Sequence, residues 1–151
     1  MDFERKKDRS IYYWLKDDVF SDADWIKIVD AYEDDEATIP SVAIKPDIID
    51  AEAVQMGDRR QYNIRLWYLD IYAVNKDQRA DIAYRIMREI DNGIPILDFD
   101  EGFPPDVTPT QIGAIIVRQK RFTPIDVNPE LVEKMYWRGS ITMVEYLSQL
   151  N

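Results

Sequence analysis

Carboxylates are the side chains with the most chemistry to offer in this sequence. Leu97-Asp98-Phe99-Asp100-Glu101-Gly102 sets Asp98 and Asp100 two residues apart, so an extended backbone points both to one side. That spacing suits a divalent cation shared with substrate phosphates, and Asp106 is close enough in sequence to be a third oxygen donor. No lysine or glutamate motif nearby completes a nuclease pattern, so a solvated loop or a partner contact is the better reading. A small carboxylate-dependent metal enzyme is the alternative. A second acidic run, Glu33-Asp34-Asp35-Glu36, lacks the glycine turn that lets a loop wrap its carboxylates around one ion, and it reads as a solvated turn.

The rest of the catalytic repertoire is thin. The chain has no cysteine and no histidine, which removes thiol nucleophiles, thiolate metal sites, the commonest general base and the usual transition-metal ligand. A carboxylate-only site for Mg²⁺ or Ca²⁺ and a lysine- or tyrosine-based site stay open. The range is short, and the expectation is no enzymatic activity, no cofactor and no bound metal. Arg118, Lys120 and Arg121, with Arg138 further on, form the only basic cluster in the C-terminal half. They read either as a strand end paired to the chain's own acids or as an intersubunit contact to the acidic N-terminal half of a neighbouring copy. Such head-to-tail complementarity is what a ring-closing interface needs. The formal net charge is −10, with 19 basic and 29 acidic residues. That balance repels nucleic-acid phosphates and argues against DNA reading.

At 151 residues and 46 % hydrophobic content the chain is long enough for a single domain with its own core. No apolar run is long enough to span a bilayer, and Met1-Asp2-Phe3-Glu4-Arg5-Lys6-Lys7 has no signal-peptide apolar region. The expectation is a soluble protein that stays where it is made.

The elements that must carry these residues are most legible over residues 60–95. Residues 62–74 are dense in aromatic and branched side chains and read as a strand. Both its alternating faces are largely apolar: Ile64, Leu66, Tyr68 and Tyr72 on one, Trp67, Leu69, Ile71 and Ala73 on the other. A strand apolar on both faces asks for cover on both. Residues 77–90 follow as an amphipathic helix with Arg79, Ile82, Ala83, Ile86 and Ile90 on one face. Asn75 or Asp77 caps its start, and Gly93 offers a left-handed stop.

Elsewhere, Ile11, Trp14, Leu15 and Val19 predict a helix over 10–20. Residues 25–32 fit either a strand or a helical continuation. Residues 39–46 predict a short strand flanked by prolines, with 48–56 extended or irregular and a turn at 57–60. Residues 94–99 suggest a short strand. Residues 98–113, rich in proline and acids, predict a protruding loop or arm around Phe103, Pro104 and Pro105. A strand at 114–117, a turn over 124–129 and a long last strand at 135–146 complete an α+β domain. Its sheet is mostly antiparallel, with an N-terminal helix and one central helix packed on it.

This order of elements resembles the tail-terminator and tail-completion proteins of long-tailed bacteriophages. The resemblance rests on Ile39-Pro40-Ser41-Val42-Ala43-Ile44, on Gly57-Asp58-Arg59-Arg60 and on Trp67-Tyr68-Leu69-Asp70-Ile71-Tyr72-Ala73. It extends through the helix from Asp77 to Asn92-Gly93-Ile94-Pro95-Ile96-Leu97-Asp98-Phe99. It implies a structural virion protein, assembled in the host cytoplasm, that forms a homohexameric ring at the head-proximal end of the tail. The ring would terminate the tail tube and join it to the neck, or act as a head-tail connector or adaptor. Its partners would be copies of itself, the tail-tube protein and a neck or connector protein. DNA would only pass through the lumen, and no membrane would be involved. The expected contact residues are Trp67, Leu69 and Ile71 on the strand, Asp98, Asp100, Phe103, Pro104 and Pro105 in the arm, and Arg118, Lys120, Arg121 and Arg138.

Overall fold

The computed structural model describes residues 2–30, 39–53, 61–125 and 137–150. The acidic run at 33–36, the turn at 57–60 and most of the turn at 124–129 lie outside these residues. The fold is α+β. Helix α1 (Phe3–Tyr13) continues into a π-helical turn (Trp14–Val19). Strands β1 (Lys27–Val29), β2 (Ser41–Ala53) and β3 (Gln61–Ala73) come next, then α2 (Lys76–Ile90), β4 (Ile94–Asp98), β5 (Thr110–Ile125) and β6 (Trp137–Leu150). The six strands form one sheet in the order β1-β2-β3-β6-β5-β4. Every pairing is antiparallel except that of β1 with β2.

Strand β3 sets the layering. Its odd-numbered side chains, Arg65, Trp67, Leu69, Ile71 and Ala73, are fully buried, while Leu66, Tyr68, Asp70 and Tyr72 on the other face are half-buried. Val42 and Ile44 of β2 and Ile141 and Met143 of β6 are in register with the buried set. Both helices pack on this one face, where Ile11, Leu15 and Val19 join Ile82, Ala83 and Ile86 in a single core. The expected apolar face of α2 is the buried one: Arg79, Ile82, Ala83, Ile86 and Ile90. Asn75 accepts a hydrogen bond from the Gln78 amide at 2.8 Å, closing the first turn. Gly93, at φ 79°, takes the left-handed position that ends the helix.

Helix α1 begins seven residues earlier than the apolar spacing indicates, capped by Asp2 accepting from the Glu4 amide at 2.9 Å. The side it buries here is charged. Lys7 donates to both carboxylate oxygens of Glu145 at 3.0 and 2.9 Å, and both side chains are 1 % exposed. Glu4 accepts from Lys7 at 2.9 Å and from Arg65 at 2.8 Å. Asp8 accepts from Arg65 at 2.7 Å and from the Trp67 indole at 2.8 Å. This network joins α1 to β3 and β6. Ser10 ties α1 to β4, accepting at 2.9 Å from the Leu97 amide, which lies at an irregularity in the β4–β5 ladder.

Strands β2 and β5 depart most from their expected limits, and β6 runs from Trp137 to Leu150, not 135–146. Strand β2 continues through Pro46 to Ala53, because an extra residue between Pro46 and Ile49 absorbs the proline's missing N–H and the ladder resumes at Ile49. Strand β5 already starts at Thr110, which leaves a loop of residues 99–109. Two irregularities at Ile116–Gln119 let β5 curl along β6. Residues 25–32, open between strand and helix, hold the short β1 after turns at Ala23 and Ile26. Gly139 of β6 is required by close approach: a Cβ there would meet the Phe122 ring at 2.6 Å.

Two outcomes follow. Lys7→Met should destabilise the fold by about 3–5 kcal/mol in denaturant unfolding, because it removes the buried ammonium that donates to both carboxylate oxygens of Glu145. Lys7→Met with Glu145→Leu should recover much of that loss. Gly139→Ala should cost about 1–3 kcal/mol by displacing Phe122.

Candidate functional site

Trp67, Leu69 and Ile71 lie at zero exposure beneath the helices, so they are core side chains and not surface contacts. The opposite face of the same strand is the open one. There Leu66 pairs with Val144, Tyr68 with Thr142, Asp70 with Ser140 and Tyr72 with Arg138. Next to β6, Gln119, Arg121 and Thr123 of β5 extend the row. Neither described helix lies on this side. The result is a broad, gently polar strand surface with two tyrosines and a leucine half-exposed in its middle.

The four basic residues do not form one patch. Lys120 turns inward and donates to the Met87 carbonyl at 2.7 Å and to Asp91, so it caps the C-terminal end of α2. Arg138 faces outward, with its guanidinium 4.9 Å from the Tyr72 ring centroid and a 3.3 Å hydrogen bond to the Tyr72 hydroxyl. Arg121 is exposed on the open face, and Arg118 is exposed as the extra residue of the β5 irregularity. Among the described residues neither Arg118 nor Arg121 makes an ion pair. Sequence spacing could not separate these roles, because the irregularity shifts the alternation between Arg118 and Lys120.

Asp98 and Asp100 do converge, but on Lys6. The Lys6 ammonium lies 3.0 Å from Asp98 and 2.9 Å from Asp100, where a cation between the two carboxylates would otherwise be placed. Hydrogen bonds first to Asp100 and then to Asp98 hold this lysine above its ordinary pKa of 10.5. Asp106 is exposed further along the loop. Among the described residues no group of three His, Cys, Asp or Glu side chains is arranged to hold a metal. The loop is fastened to α1 by aromatic contacts as well. Phe103 stacks on Phe99 at 5.2 Å, Phe99 meets Tyr13 at 5.4 Å, and the Arg9 guanidinium lies 5.7 Å from the Phe103 ring. Phe103 and Pro105 keep exposed surface, and Pro104 is half-buried.

A feature that periodicity did not single out is Trp25, 57 % exposed at the end of the turns before β1. It walls a groove of about 390 Å³ whose floor is Phe20, Ile26 and Ile82 and whose rim is Asp77, Asp81 and Arg85 of α2. Arg85 is engaged by Asp22, whose carboxyl it holds below the usual range, and lies 5.3 Å from the Phe20 ring. Asp77 and Asp81 make no ion pair among the described residues. A tryptophan in a polar, partly alternating segment gives no sequence signal of exposure, since most tryptophans are largely buried.

No protein-family model matches the chain, and no curated protein matches it either.

The Lys6 clamp has a pH signature. A lysine whose folded pKa is raised stabilises fully below the unfolded value and loses that contribution as pH rises through the folded one. The stability gap between wild type and Lys6→Met should therefore be flat from pH 7 to roughly pH 10 and shrink above it. Thermal melts across that range read this directly.

Proposed function

We propose that this chain is a structural protein that assembles with copies of itself into a ring, without catalysing a reaction. Its place would be the head-proximal end of a phage tail, where the ring closes the tail tube and joins it to the neck. The observation that carries the reading is the sidedness of the sheet: both helices cover one face, and the other presents Leu66, Tyr68, Tyr72 and Val144 half-exposed. A strand surface with apolar centre and polar rim has the anatomy of a protein–protein contact. The alternative of a carboxylate metal site is weakened by Lys6, which takes the position between Asp98 and Asp100. The phage assignment rests on the resemblance in element order. The acidic balance of the chain is compatible with DNA passing a lumen without adhering.

Light scattering on the purified protein at tens of micromolar tests the ring, with a mass expected at a whole multiple of 17.8 kDa and closed rings in negative-stain images. Added phage tail tubes should acquire a cap at one end. A 17.8 kDa species that remains monomeric with and without tubes contradicts the reading.

A further inference from the structure

We infer that the groove beside Trp25 is the socket for a basic strand of a second copy of this chain, with Arg121 as the entering side chain and Arg118 beside it. The inference rests on the ring reading and specifies its contact.

The socket has the chemistry of an arginine site. Asp77 and Asp81 are four residues apart on α2, so their carboxylates share one face of the helix and overlook the groove. The Trp25 indole, 57 % exposed, supplies a flat aromatic wall. A guanidinium can stack on that ring while its planar fork donates to the carboxylates, which an ammonium does less well. Neither aspartate makes an ion pair among the described residues, whereas the neighbouring Arg85 is already committed to Asp22.

The occupant is identified by charge and by placement. Arg118 and Arg121 are exposed cations without an ion pair among the described residues, in a chain whose net charge is −10. Arg121 pairs in register with Thr142, which pairs with Tyr68, so it belongs to the open face. Its neighbours Lys120 and Phe122 turn the other way, towards α2. Arginine and socket therefore lie on opposite layers of the protomer. A contact between two such surfaces is head-to-tail, and repetition of it about an axis closes a ring. It also brings the half-exposed centre of the open face, Tyr68 and Val144, towards the apolar floor of the neighbour.

The test uses two full-length variants, Arg118→Glu/Arg121→Glu and Asp77→Lys/Asp81→Lys, with folding checked by circular dichroism and thermal melting. Each alone should raise the concentration needed for assembly at least tenfold in light scattering. An equimolar mixture should reassemble, because one junction is then native and the next is charge-swapped. Trp25→Ala should weaken assembly without changing secondary structure. A wild type that assembles while either charge variant assembles equally well overturns this contact and leaves the ring reading standing. Folded variants that stay apart when mixed overturn the pairing of these surfaces. A wild type that never assembles overturns the ring reading and this contact with it.

Discussion

A lysine and a glutamate with almost no access to water can be tolerated together and not apart, and the packing of α1 follows from that. Lys7 and Glu145 are 138 residues apart in sequence and within 3.0 Å in space. Glu4 and Asp8 extend the pair to Arg65 and to the indole of Trp67. The desolvation of these charges is offset only when all of them meet, so the network fixes the rotation and height of α1 against β3 and β6. From that position Ser10 reaches Leu97 and Lys6 reaches Asp98 and Asp100. The loop after β4 is thereby fastened to the helix that the network placed.

The same arrangement makes the molecule two-sided. With α1 committed to the face that α2 also covers, the alternate side chains of β3 and β6 are left to the edge of the domain. Charge is mixed on both layers, with Lys76 and Arg88 exposed on α2 and Asp70 lying on the open face, but the groups that could pair head-to-tail are separated. Carboxylates such as Asp17, Asp22, Asp77 and Asp81 are exposed on the helical layer or in the turn beside it, while Arg121 and Arg138 stand on the open sheet face. A protomer with unlike faces suits the proposed head-to-tail association, in which each face would find its complement on the next copy and not on itself.

Local signals read well wherever the interaction was local. The face of α2 was legible residue by residue, as was its Gly93 stop, since a helix with one apolar stripe declares its period. Its cap was open between Asn75 and Asp77 until the Asn75–Gln78 hydrogen bond decided it. The α+β class and the antiparallel character of the sheet were equally plain. The first half of α1 was not, because its buried side is Lys6, Lys7 and Ser10, and apolar periodicity cannot detect a face that is buried through ion pairs. Strand β2 was cut short because Pro46 reads as an end, and only the Ile49–Arg65 pairing shows that the ladder resumes. Of the candidate contacts, Trp67, Leu69 and Ile71 were assigned to the wrong side: two apolar faces look alike until the helices choose one.

Composition and local pattern by themselves determined the fold class, the central strand-helix unit and the narrow range of chemistry open to a chain without histidine or cysteine. They also marked Asp98 and Asp100 as a converging pair. Tertiary structure alone decided what that pair holds, which face of β3 is open, and that Lys120 points inward while Arg121 points out. The physical reason is the same in each case. These outcomes depend on partners distant in sequence, and a side chain's period fixes its face relative to its neighbours but not which face the rest of the chain will cover.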